Sequence, residues 1–432
     1  MGIRFKTPDL IKTGAVCLDC LACRVPGQPP TDRDCVKALL NPVWATPGQQ
    51  TVFDTINRDE SVCFVVSDHT RKTAAERILP ILVDGLIRKG CSLEHMYILF
   101  ASGIHRHPTG SEVEKIIGKA IAERFTGRIF FHDPDDTANL VAVGTTRRGH
   151  TVRLNHRAVR AKRLVLLGSV VYHYHAGFGG GRKSLVPGLA ARETIAYNHS
   201  LTLDPGEDRI IPTVAPGGLE GNPVAEEMME AALMRKPDFI VNTVLTPDDR
   251  LAGVFAGDMD AAHRAACRCA EQIYRCDIPE RADLVLASAG AALNWIQSHK
   301  ALYNADRAVK PNGHIVLAAA CPEGLGDERF RHWITRQSTN EIFSGLRTNP
   351  EILGQTALST KQRGAKTILV TDMGPEDVAD LGIRTAPDLK SAAKIAIDEL
   401  RAAGVEKPTY YVMPEALYTV PFAREDHKDH RP

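Results

Sequence analysis

The chain has 432 residues, with 53 Lys and Arg against 52 Asp and Glu; a net charge of +1 gives no global attraction to nucleic acid. Its 44% apolar and 24% charged content is that of a globular protein, and 432 residues exceed one ordinary core, so two domains are expected. The longest apolar runs, LVLLGSVV and IVLAAAC, are of core-strand length and too short for a bilayer, and MGIRFKTPDLIK at the start lacks a signal-peptide apolar segment. A cytoplasmic protein that binds neither membrane nor nucleic acid is expected.

Ten cysteines are scattered without framework spacing, which suggests reduced thiols. One group differs: Cys17, Cys20 and Cys23 in CLDCLAC suit a zinc or Fe–S site with Cys35 as a fourth ligand. The same segment also reads as partly buried, with cysteine serving as a small hydrophobe, and that reading is preferred.

Further along, SVCFVVSD (61–68) is strand-like and precedes a helix near 72–89. HMYILFASG (95–103) precedes a helix over 111–125, with Ser111 and Glu114 as a capping box. RIFFHD and KRLVLLGSVVYH (162–173) follow, then the glycine-rich HYHAGFGGGRKSLVPG (173–188). DFIVNTVL, the helix DMDAAHRAACRCAEQIYR, ADLVLASAG, a helix near 295–309, GHIVLAAAC, AKTILVTD and the helix DLKSAAKIAIDELRAAG complete the series. This alternation predicts an α/β fold of two domains with largely parallel sheets flanked by helices, and an active site in the interdomain cleft. The expected domains are 1–265, binding the cofactor, and 276–395, contributing substrate residues. The segment from about 405 to 432, which contains TYYVMPEAL, is expected to return to the first.

In parallel α/β sheets ligands collect beyond the carboxyl ends of the strands. Three proposed strands end in reactive groups: Asp68, His69 and Arg71; His105, Arg106 and His107; His173, His175 and Lys183. The glycine stretch fails as a Walker A loop, because Arg182 stands where glycine must precede Lys183. Its glycines still allow positive φ, close backbone approach and peptide N–H groups turned to a phosphate, or a hinge. His199 in NHS is a candidate ligand for a borderline metal.

Together, DHTR (68–71), SGIHR (102–106), HYHAGFGGGRKSLVPG, NHS (198–200), LEGNP (219–223), AGD (256–258), QSHKAL (297–302) and CPEGLG (321–326) resemble the nickel-pincer-nucleotide-dependent lactate racemase family. The resemblance runs over most of the chain, and the His-x9-Lys-x15-His spacing is its most specific part. It implies that Lys183 is joined covalently to the cofactor, a pyridinium-3,5-bisthiocarboxylic acid mononucleotide nickel adduct. His199 then completes the nickel coordination, and Gly177, Gly179, Gly180 and Gly181 bring backbone close to the tethered nucleotide. His105 and His173 are implied as paired acid/base groups. Arg71, Gln297 and Lys300 are implied at the substrate, and Asp68 belongs to the same signature. The implied reaction is racemisation or epimerisation of a 2-hydroxy acid by proton-coupled hydride transfer, which avoids a carbanion next to a carboxylate. Enzymes that make the cofactor are implied as maturation partners.

Some positions depart from the pattern. Ile296-Gln297 stands for a Tyr-Gln pair, Ile352 for a tryptophan three residues before Gln355, and SAGAALNWIQ (288–297) for a Gly-Gly-Tyr-Pro-type turn. Cofactor and proton-transfer positions are kept while pocket positions differ, so a substrate other than lactate is expected. Two alternatives remain: a zinc hydrolase or lyase built on His105, His173 and His199, and a non-catalytic nucleotide-binding module.

Overall fold

The computed structural model describes residues 13–46 and 50–424; MGIRFKTPDLIK lies outside them, as do residues 425–432. Contacts divide the chain into two compact units. One comprises Val25–Thr202 and Ile210–Ile273, and the other comprises the described residues up to Arg24, Leu203–Arg209 and the described residues from Tyr274 on.

The first unit is built on a six-stranded sheet. In chain order its strands are β1 (Val62–Ser67), β2 (Met96–Ala101), β3 (Ile129–Phe131), β4 (Arg163–Ser169), β5 (Phe239–Leu245) and β6 (Leu251–Gly257). They lie in the order β6-β5-β4-β1-β2-β3, and only the β5–β6 pairing is antiparallel. β1 shows why. Its VCFVVS run is β-branched and aromatic. Val62, Phe64 and Val66 enter one core cluster while Cys63 and Val65 enter another, as period-2 alternation requires of a strand covered on both faces. Helix α1 (Ala75–Arg88) closes one face with Ile78, Leu79, Leu82, Val83 and Leu86.

Helix α2 (Gly110–Ile117) begins earlier than expected. Its capping box is formed by Thr109 and Glu112, not by Ser111 and Glu114. Both pairs have the same spacing, and Thr109 wins because its extended backbone (φ −70°, ψ 165°) leaves Gly110 onward free to coil.

The second unit has a six-stranded, wholly parallel sheet ordered Val16–Cys20, Thr409–Met413, Ala282–Ser288, Val309–Ala318, Thr367–Val370, Arg384–Thr385. The TYYVM strand therefore stays in this unit and does not return to the first. It is paired on both sides, and Asp283 accepts from the Thr409 peptide N–H (2.8 Å) and hydroxyl (2.7 Å). A buried apolar strand needs two hydrogen-bonded neighbours, and its sequence does not say which. Val420–Ala423 pairs with Arg275–Ile278 in the same unit.

The segment is partly buried, through Ala15 and Leu21, but Cys17 and Cys20 lie exposed on the edge strand Val16–Cys20 and do not serve as its small hydrophobes. Cys23 is half-buried, its N–H on Glu415, and Cys35 sits in the first unit's core. All ten cysteines are free, and among the described residues no three His, Cys, Asp or Glu side chains are grouped to hold a metal ion. Among the described residues no helix is long and apolar enough to cross a membrane.

Candidate active site

Because β4, β1 and β2 are adjacent and parallel, the segments leaving their C-terminal ends emerge along one sheet edge. After β1 comes Asp68, only 2% exposed. Its Oδ1 accepts from the Thr70 peptide N–H (2.9 Å) and hydroxyl (2.6 Å), and its Oδ2 faces His105 Nδ1 at 2.7 Å. Burial pushes this carboxyl up, but His105, Thr70 and Arg71 outweigh it and hold the pKa below the usual value. An anionic Asp68 makes His105 Nδ1 the protonated nitrogen, which leaves Nε2 with its lone pair. The His105 side chain is 44% exposed and so accessible to a ligand. Arg71 is exposed, with its guanidinium donating to the Thr70 carbonyl (2.8 Å). Two other members of these segments, Arg106 and His107, take structural partners, whereas the Nδ1 of His69 is buried without a hydrogen-bond partner. Arg106 pairs in bidentate fashion with Glu112, and His107 contacts the His132 carbonyl at 3.1 Å.

The segment after β4 opens with a hairpin, Tyr172–His173 against Gly177–Phe178. His173 Nδ1 accepts from the peptide N–H groups of His175 (3.2 Å) and Ala176 (3.1 Å). Gly177 takes φ +72°, and a Cβ there would stand 2.1 Å from the Gly218 carbonyl oxygen. Asn222 locks the arrangement. Its Nδ2 donates to the carbonyls of His175 (2.8 Å) and Gly218 (3.0 Å), while its Oδ1 caps helix α3 (Pro223–Met234).

Gly179, Gly180 and Gly181 pack against the protein itself. The Gly181 N–H donates to Asn242 Oδ1 (3.0 Å), the Gly179 carbonyl contacts His263 Nε2 (2.8 Å), and a Cβ at Gly181 would meet the His263 ring at 2.9 Å. Arg182 is buried, with one Nη on the Ala176 carbonyl (3.0 Å). Lys183 follows in the short 3-10 turn Gly181–Ser184, half-buried. His199 lies on the helix Arg192–Ser200, where its Nδ1–H donates to the Ile195 carbonyl at 2.8 Å. Burial, with the Lys183 charge adding to it, pushes the His199 pKa down to about 4, so the ring is a neutral imidazole at neutral pH. The donor to Ile195 fixes Nε2 as the lone-pair nitrogen, the form a borderline metal takes.

Gln297 and Lys300 lie in the second unit on the helix Trp295–Asp306; Gln297 Oε1 accepts from the Leu293 N–H (3.0 Å), which leaves the amide NH2 as its donor group. Ile352 begins the helix Ile352–Gly364, on which Gln355 is buried. The zinc alternative needs His105, His173 and His199 gathered as ligands, and among the described residues no such group forms. Sequence reasoning gave no role to Thr70 and Asn222, although they stand in the DHTR and LEGNP stretches, and it missed Asn242 and His263. Asn222 also carries a local signal, as the Asn-Pro pair that starts a helix.

The fold and this edge define a two-unit α/β protein carrying a carboxylate-backed histidine, a second histidine, a lysine and a neutral buried imidazole. Models of the lactate racemase N-terminal domain and C-terminal domain match residues 20–209 and 279–415. The lactate racemase of Thermoanaerobacterium thermosaccharolyticum is 32% identical over 378 residues, 85% of this chain and 86% of that protein. The lactate racemase of Lactiplantibacillus plantarum is 32% identical over 303 residues, 68% of each. The apoprotein structure of the Thermoanaerobacterium enzyme superposes with a TM-score of 0.84 at 29% identity, covering 97% of both chains. A Thermotoga maritima protein at 16% identity and TM-score 0.69 shares the fold. The chain belongs to the lactate racemase family.

Proposed function

We propose that this protein is a 2-hydroxy acid racemase or epimerase that works with a nickel-pincer nucleotide tethered to Lys183 and ligated through His199. The observation that carries the reading is His199: buried, neutral, its Nδ1–H spent on Ile195 and its ring within the field of Lys183. Such a ring offers one fixed lone pair, as a metal ligand must. When bound, the cofactor supplies a hydride acceptor and donor. The chain's own residues do the rest. Asp68 orients His105 so that Nε2 takes the hydroxyl proton, and His173 supplies the second proton-handling group. Arg71 would supply the cation that holds the substrate carboxylate. The glycine turn, held by Asn242 and His263, fixes the backbone that carries Lys183.

A substrate other than lactate is favoured by the pocket positions. Ile296, Ile352 and the 288–297 turn replace the residues that the lactate-acting pattern carries there. Maturation then requires the cofactor-making enzymes as partners.

The test is intact-protein mass and turnover after co-expression with those enzymes. Wild type should gain the cofactor mass and racemise members of a D- and L-2-hydroxy acid panel other than lactate, with the Cα deuterium kept. Lys183→Ala should gain no mass and turn nothing over. Normal turnover by Lys183→Ala, or exchange of the Cα label with solvent, would contradict the proposal.

A further inference from the structure

We propose that the two site histidines are locked in opposite tautomers in the resting protein, so that His105 offers a bare Nε2 as proton acceptor and His173 offers an Nε2–H as hydrogen-bond donor. The identity of the substrate rests on the racemase reading; the tautomers belong to the chain itself.

At His105 the partners of Nδ1 are the Asp68 carboxylate (2.7 Å) and the Thr70 hydroxyl (3.3 Å). A carboxylate only accepts, so the neutral ring places its hydrogen on Nδ1 and keeps Nε2 bare. At His173 the pattern is reversed. Two peptide N–H groups, of His175 and Ala176, point at Nδ1 from 3.2 and 3.1 Å. Peptide N–H groups only donate, so Nδ1 is the bare nitrogen and Nε2 carries the hydrogen.

Both locks are built into rigid surroundings. Asp68 cannot swing, because Thr70 holds its other oxygen by two hydrogen bonds. The His173 hairpin is fixed by Gly177 at positive φ, by Asn222 on the His175 carbonyl, and by Tyr174, whose ring stacks on His173 at 4.9 Å and 7°.

The consequence is an asymmetric pair. A hydroxyl facing His105 passes its proton to Nε2; the imidazolium so formed keeps Nδ1–H on Asp68, and the same proton returns when the carbinol re-forms. A hydroxyl facing His173 receives a hydrogen bond from Nε2–H, and in this tautomer Nε2 has no lone pair with which to take its proton. Treating the two histidines as interchangeable misses this difference.

The experiment is a long-range proton–nitrogen correlation spectrum of the full-length, cofactor-free chain labelled at histidine nitrogen, near pH 8. Signals are assigned by their loss in His105→Gln and His173→Gln. Nδ1–H at His105 and Nε2–H at His173 is the expected result; the same tautomer at both would overturn the proposal. Asp68→Asn sharpens it. Thr70 keeps the amide oxygen, so the new NH2 faces His105 Nδ1 as a donor and forces the hydrogen to Nε2. His105 should switch while His173 stays, and racemisation by the loaded enzyme should fall about a hundredfold or more. A His105 that does not switch in a variant of native circular dichroism would also overturn it. If Asp68→Asn does not fold, the wild-type spectrum decides alone. Failure of the racemase reading would show separately, as an unmodified Lys183 with the tautomers unchanged.

Discussion

Individual side chains in this protein act through partners that their neighbours in sequence do not reveal. His105 was readable as a reactive histidine after a strand, yet which of its nitrogens is offered to a ligand is set by Asp68, 37 positions earlier, and the other oxygen of Asp68 is held in turn by Thr70. The glycine turn teaches the same lesson in the opposite direction. Its glycines suggest room for a ligand, whereas at 177, 180 and 181 an added Cβ would strike the protein's own atoms. Gly177→Ala should therefore lose about 2 to 5 kcal/mol of stability, from a left-handed φ and a clash with the Gly218 carbonyl combined. Urea denaturation of the cofactor-free chain measures it, and a variant of wild-type stability would show that the hairpin relaxes freely.

Elements were far easier to read than partners. Apolar strands such as VCFVVS announce themselves because both faces are covered, and the reactive groups that follow them are where a parallel sheet presents ligands. Helix starts were less secure, since Thr109 and Ser111 offer the same signal and backbone geometry alone selects one. Helix α3 shows how one cap can serve two elements. Asn222 Oδ1 caps α3 while Nδ2 ties down the hairpin that carries His173. Asn222→Ala should cost about 2 to 3 kcal/mol, a lost cap plus buried carbonyls left without a donor. Denaturation should show that loss, and Asn222→Asp should recover only the capping part. Equal stability of all three proteins would remove Asn222 from this role.

Across the whole molecule, acid stability is set by buried neutral histidines. Burial pushes His132 down to about 4, His299 to about 3 and His263, helped by the Arg182 charge, to about 3. Unfolded histidine titrates near 6.5. Between about pH 6.5 and 4 the unfolded chain therefore binds protons that the folded chain refuses, so stability falls as pH falls. The expected loss is about 1 kcal/mol per pH unit for each histidine, read from urea midpoints across that window. A midpoint that is flat from pH 6.5 to 4.5 would contradict this.

What the sequence by itself determined is the alternation of covered strands and amphipathic helices, and the identity and spacing of the chemical groups: Lys183 ten residues after His173, and His199 sixteen after Lys183. These are local facts, fixed by side-chain type and periodicity. Only the tertiary structure decided that Thr409–Met413 pairs with Val16–Cys20 and Ala282–Ser288, and that Asp68 backs His105 while peptide N–H groups cap His173. The physical reason is that hydrogen bonds and pKa values depend on what lies within about 3 Å in space, and folding brings together residues that the chain keeps far apart.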